Sequence, residues 1–316
     1  MMFTEVASLP FRKIYSVDFE YCGADGEIPK IVCMVIEDLR SGEISRYWRN
    51  DLCKMKTPPF ETGEDVAIVS YFAPAEVQSM LALCWAINVS VIDLFAEFRC
   101  QTNGDPNVGR KSLVSALQFY GLEQFIPEEK DSMRDLILSG GPWSETQRSA
   151  ILDYCQQDVI ALGPLLDAML RHAPWSELQF NQALLRGLYM KAVGAMQHRG
   201  IPIDLGLLDK LNANWEDIKL NLIENVDAQY GVYVDGRFKE ALFQSYLARE
   251  GNPWPRLDSG RLALDRNTFS NMSKRYPIVQ PLHELRKTLG EFKLNNLAVG
   301  RDGRNRTLLS PLAAKT

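Results

Sequence analysis

No CxxC pair occurs among the six cysteines, which stand at 22, 33, 53, 84, 100 and 155, so the chain offers no zinc-finger spacing. Histidine is scarce. The three in the chain, His172, His198 and His283, lie far apart and in no ligand pattern. No apolar run reaches the roughly 18 residues that a membrane-spanning helix needs. The opening, MMFTEVASLPFRK, lacks the apolar stretch of a secretory signal. Low-complexity segments, internal repeats and a serine in a nucleophile elbow are also missing. These absences argue against a membrane partner and against a secreted, disulfide-stapled protein. They point to the cytoplasm, bacterial or of a phage-infected host, and to reduced thiols that mostly pack.

What is present is a chain of 316 residues, 46% hydrophobic and 24% charged, close to average for a globular protein and enough for two domains. The net charge of −5 hides a division. Residues 1–172 hold 15 basic and 25 acidic side chains, whereas 173–316 hold 20 basic and 15 acidic. An acidic part joined to a basic one fits either two surfaces of ordinary character or a polyanion handled in two ways. The stretch His172-Ala173-Pro174-Trp175 marks the expected boundary, giving domains 1–172 and 173–316.

Apolar runs bounded by turn residues predict strands over 14–18, 31–36, 43–48, 66–71 and 89–94. A helix is expected over 74–84, with Pro74 and Glu76 suited to its start. Further helices are expected over 112–120 and 144–169, the latter opened by a Ser144–Gln147 capping box. Beyond the boundary come a helix over 176–199, closed by Gly200, and another over 207–230, then short helices and turns. The order implies an α/β layer with a mixed sheet, followed by a mainly helical part.

Three groups of residues carry candidate chemistry. In Val17-Asp18-Phe19-Glu20 the two carboxylates stand two apart on a strand and share a face. Two acids beside a core are costly unless a cation neutralises them, and oxygen ligands favour Mg²⁺ or Mn²⁺ over zinc. A solvated strand end would also account for the pair. In Tyr154-Cys155-Gln156-Gln157-Asp158, Tyr154 and Asp158 are four apart and share a helix face. A packed tyrosine beside a wet aspartate is the plainer reading of that motif alone, and Cys155 reads as a small packing residue. Glu76 opens a helix directly after a buried strand, where a favourable helix dipole would explain an acid by itself. Asp93, near the end of the next strand, competes with it.

In this order the motifs resemble those of the 3′–5′ exonucleases of the DnaQ-like superfamily, in the subclass with tyrosine in the last motif. The resemblance implies a ribonuclease H-like fold and four carboxylates holding two divalent metal ions, Mg²⁺ or Mn²⁺. Asp18 and Glu20 match the first motif, and Tyr154 and Asp158 the third. Glu76 stands where the family has an aspartate and is preferred to Asp93. Asp18 would bridge both ions, and Glu20 and Asp158 would favour one of them. Glu76 would act on the other ion or its water, and Tyr154 would orient the attacking water. The implied partner is DNA, as a single-stranded 3′ end or a primer terminus.

Later segments extend the resemblance to the front part of a phage-type A-family DNA polymerase. They are Met196-Gln197-His198-Arg199-Gly200-Ile201-Pro202-Ile203-Asp204, residues 282–287, residues 301–306 and Ala313-Ala314-Lys315-Thr316. The chain stops at Thr316, before the fingers helix and palm aspartates of such enzymes, so no templated polymerisation is expected of it. Phe19 and Tyr21 are the candidates to stack on a terminal base, although Phe19 points away from Asp18 in a regular strand, where core packing is the plainer role. Arg301, Arg304 and Arg306, in a segment (256–306) with 11 basic and 5 acidic residues, are the candidates to grip phosphates. A solvated hairpin is the alternative there. For the whole chain, the alternatives are an RNase D-like ribonuclease and a catalytically inactive DNA-binding module.

Overall fold

The computed structural model describes residues 3–125, 130–291 and 297–309. The expected match at Ala313–Thr316 lies outside the described residues. Contacts divide the described chain into two compact units. One runs up to Pro202 and resumes at Ala298; the other is Ile203–Leu297.

The first unit contains α1 (Thr4–Ala7), β1 (Lys13–Cys22), β2 (Lys30–Asp38), β3 (Glu43–Trp48), α2 (Arg49–Leu52), β4 (Gly63–Ser70), α3 (Pro74–Ala82), β5 (Val89–Asp93), α4 (Leu94–Gln101), α5 (Leu113–Phe119), α6 (Lys130–Leu138), α7 (Glu145–His172), α8 (Glu177–Arg199) and β6 (Ile201–Pro202). Its five-stranded sheet has the order β3-β2-β1-β4-β5. β1 pairs antiparallel with β2 and parallel with β4. β1 is therefore the strand at which the sheet changes direction.

Alternation along β1 builds two cores. Ile14 packs among Ala161, Leu162, Leu165 and Leu166 of α7. Its neighbours Tyr15, Val17 and Phe19 face the other way, toward Met80 of α3 and Met190 of α8. The sheet is thus covered on both faces, as parallel strands require. α7 starts at the expected capping box: Ser144 Oγ accepts from Gln147 N, and Gln147 Oε1 accepts from Ser144 N.

α8, which the sequence places at the opening of the second part, packs within the first unit. Two glycines let it approach. A Cβ on Gly187 would meet the Val91 carbonyl oxygen at 1.8 Å, and one on Gly194 would meet Val77 at 2.7 Å. Arg186 of α8 adds a forked ion pair with the buried Glu97 of α4, at 2.6 and 2.7 Å.

The second unit is mainly helical, with α9 (Leu205–Ala213), α10 (Trp215–Asp227), a β7 (Tyr233–Val234) and β8 (Arg237–Phe238) hairpin, α11 (Glu240–Arg249), α12 (Arg266–Arg275) and α13 (Gln280–Glu291). Phe243, Phe269, Val279 and Leu282 are in its core. The single helix expected over 207–230 is interrupted at Asn214, whose side-chain amide donates to the Lys210 carbonyl, a local bond that competes with helix propagation. After this unit the chain returns to the first, where β9 (Arg304–Asn305) pairs with β6.

Candidate active site

β1 is longer than expected. It continues through Cys22 because β2 pairs with it along that length, with an irregularity between Glu20 and Tyr21. Asp18 and Glu20 therefore stand within the strand rather than at its end. They occupy the carboxyl-terminal half of β1, next to the change of sheet direction, where open α/β sheets commonly place their sites.

α7 brings the second group of side chains to the same place. The Tyr154 hydroxyl holds its proton well above the ordinary phenol range. Burial is the main cause, followed by the charges of Asp158, Glu20 and Asp18. Those effects put the tyrosine among carboxylates of both motifs. Cys155, next along α7, is buried in the cluster that includes Cys22, Val32 and Cys33. Its thiol also donates toward Asp18 Oδ2 at 3.3 Å and the Asp18 carbonyl at 3.4 Å. One ligand atom each from Asp18, Glu20 and Cys155 lies within 4.8 Å of the others. The thiol's proton is held more tightly by burial, by Cys33 and by Asp18. Sequence reasoning treated Cys155 as packing alone. Its three-residue spacing from Asp158, on one helix face, is the signal that could have drawn it into the site.

Glu76 enters from α3. It is 2% exposed, and its Oε2 is buried with no hydrogen-bond partner. Burial, then the charge of Asp18, raises its pKa well above the usual carboxylate range. An orphaned oxygen beside another acid is a costly arrangement in an isolated chain.

Asp93, the competing acid, has a different task. Its Oδ1 caps α4 by accepting from Ala96 N, and its Oδ2 accepts from Ala73 N, both at 2.7 Å. Burial pushes its pKa up to about 7 against these bonds. With both oxygens engaged by backbone donors, Asp93 secures the turn ahead of α3. The same turn holds Phe72 at φ 76°, a conformation rarely adopted by a bulky residue. Asp93 thus helps to set where Glu76 begins its helix.

The candidates for nucleic-acid contact divide. Tyr21 borders the acids: burial, then Glu76, Asp18 and Glu20, push its hydroxyl up to about 12, and Arg134 works in the opposite direction. Phe19 is not a stacking surface. It is 4% exposed and packs in the core near Trp85, with ring centroids 6.4 Å apart. Arg306 is also corrected. Its side chain is 7% exposed, and its guanidinium donates to His198 O, Gly26 O and both oxygens of Asp302. These bonds commit its fork within the chain. Arg304 donates to the Arg199 and Gly200 carbonyls at the end of α8. Arg301 alone of the three extends outward, 94% exposed, with Glu27 Oε1 at 3.8 Å.

No family model matches the chain, and no curated protein does. Among solved structures, it is similar to the polymerase domain of Pol1 from M. smegmatis, in complex with DNA primer-template and dNTP. That match has a TM-score of 0.58 and 15% identity, covering 95% of this chain and 49% of that one. The chain thus spans about half the length of that domain, and the likeness concerns the fold. A structure described as the apo form of the nuclease matches with a TM-score of 0.42 and 14% identity, over 58% of this chain and 84% of that one. Among the described residues no helix is long and apolar enough to cross a membrane.

Proposed function

We propose that the chain is a metal-dependent 3′–5′ exonuclease with a ribonuclease H-like sheet, acting on the 3′-terminal phosphodiester of DNA as the front part of an A-family DNA polymerase. The observation that carries this reading is that Asp18 of β1 feels both Glu76 of α3, which is buried with one oxygen unpartnered, and the α7 pair of Tyr154 and Cys155. The fold likeness to a polymerase domain over nearly the whole chain supports it. That Glu76 is close enough to feel the charge of Asp18 favours an active site over an inactive module.

The donor set fits hard divalent cations. Its side-chain oxygens come from Asp18, Glu20, Glu76 and Asp158, and oxygen ligands suit Mg²⁺ or Mn²⁺. Cations held by those four residues would also relieve the repulsion between the acids and give the Glu76 oxygen a partner. Bound there, two such ions supply an acidified water and neutralise charge on the leaving oxygen.

The chain's own groups do the rest. Tyr154 keeps its proton at neutral pH, so its hydroxyl orients a water as a hydrogen-bond partner and does not serve as the base. Tyr21, also protonated, stands beside the acids where it can contact the terminal nucleotide. Phe19 packs in the core and makes no part of the contact. Arg301 is the available cation for a phosphate in the returning segment.

Incubating the purified chain with 3′-labelled single-stranded DNA and Mg²⁺ or Mn²⁺, beside Asp18→Ala, tests the reading. Release of labelled mononucleotide by the parent alone is expected. No release by a folded parent with either metal overturns it, and release from RNA in preference to DNA redirects it to a ribonuclease.

A further inference from the structure

We propose that Cys155 is a positioning residue for Asp18, its thiol fixing the orientation in which that carboxylate meets a divalent cation. The inference rests on the metal-dependent reading above and goes beyond it, because it assigns to a non-ligand the task of aiming a ligand.

The geometry is local and specific. Asp18 comes from β1 and Cys155 from α7, so their contact crosses the layer between sheet and helix. The sulfur lies 3.3 Å from Asp18 Oδ2 and 3.4 Å from the Asp18 carbonyl oxygen. Both distances suit a hydrogen bond to or from sulfur. A donor shared between the side chain and main chain of one residue restrains the torsion between them, which decides where the carboxylate points. Cys33 is buried in the same cluster as Cys155, and it stands opposite Glu20 in the β1–β2 register. The thiol is thus held against the strand that carries both first-motif acids. Groups that hydrogen-bond to metal ligands typically alter metal affinity or activity by about 10–100-fold when removed.

Packing alone would also bury a cysteine here, and the two roles rank substitutions in opposite orders. Cys155→Val fills space near that of the thiol but cannot donate. Cys155→Ser donates but fills less space. Cys155→Ala does neither. The test is Mn²⁺ binding by isothermal titration calorimetry on the full chain, with thermal unfolding in EDTA to confirm that each variant is folded. The metal dependence of DNA hydrolysis gives a second readout.

We expect Cys155→Ala and Cys155→Val to weaken Mn²⁺ binding by about tenfold or more, and Cys155→Ser to recover most of the parental affinity. If Cys155→Ala fails to fold, the comparison of Val with Ser carries the same decision. Parental affinity in Cys155→Val, or a loss in Cys155→Ser as large as in Cys155→Val, overturns the positioning role and leaves the metal site standing. A parent that binds Mn²⁺ no better than Asp18→Ala overturns both the positioning role and the metal-dependent reading.

Discussion

At Glu76 the chain buries a carboxyl group next to Asp18, and its ionisation works against the fold. The sign follows from proton binding. The folded group keeps its proton to higher pH than the unfolded one, so the folded state binds more protons across the window above the ordinary carboxylate range. Stability therefore falls as pH rises through that window. Glu76→Gln removes the ionisation. In EDTA the variant is expected to melt above the parent at about pH 8, with the gap closing toward about pH 4, where both states are protonated. Thermal unfolding of the two proteins across that range is the check, and a gap independent of pH would refute it. The same substitution is expected to abolish DNA hydrolysis. The sequence made part of this neighbourhood legible. A spacing of two on a strand put Asp18 and Glu20 on one face, and a spacing of four on a helix did the same for Tyr154 and Asp158. It did not reveal Cys155, because a thiol that packs and a thiol that donates are the same letter. Arg306 was not recognisable as an internal anchor because charge does not announce an internal partner, whereas the alternation of β1 already pointed Phe19 away from Asp18.

α8 shows how a helix can be held by what its side chains lack. Gly187 lies against the β5 backbone, where a methyl group would overlap the Val91 carbonyl. Gly187→Ala must push the helix off the sheet and strain the Arg186–Glu97 pair, at an expected cost of about 3 kcal/mol or more. Gly290, near the end of α13, has open space around its added Cβ, so Gly290→Ala is expected to be neutral or to stabilise by up to about 1 kcal/mol through helix propensity. Urea unfolding of both variants tests the contrast; equal effects would sink it. Most element types were readable from period and capping, as the Ser144–Gln147 box shows. Element extents were less so. β1 outruns its apolar segment because pairing with β2 carries it through Glu20, Tyr21 and Cys22. The packing of α8 with the sheet was hidden as well, since a glycine that permits close approach looks like one that weakens a helix.

Over the whole molecule the charge is divided, and the basic residues of the later part are not equivalent. Arg301→Ala is expected to leave the melting temperature unchanged, weaken single-stranded DNA binding and reduce the salt slope by about 1. Arg306→Ala is expected to destabilise the fold by roughly 2–4 kcal/mol, since it removes several hydrogen bonds of a charged and nearly buried group. Fluorescence anisotropy at several salt concentrations, beside thermal melts, separates the two; a stability loss in Arg301→Ala, or none in Arg306→Ala, would contradict the assignment. The anchoring by Arg306 also orders events in time. It joins a turn near the start of the chain, at Gly26, to the end of α8 and to a strand made only after the whole helical unit has been translated. A ribosome extends a chain from its amino end, and early domains ordinarily fold first. Here the early sheet can collapse on emergence, but its seal arrives about a hundred residues later, at roughly 5–20 residues per second. For several seconds the β1–β2 turn must wait without the returning segment that packs against Gly26, a window in which a nascent chain is open to proteases and chaperones.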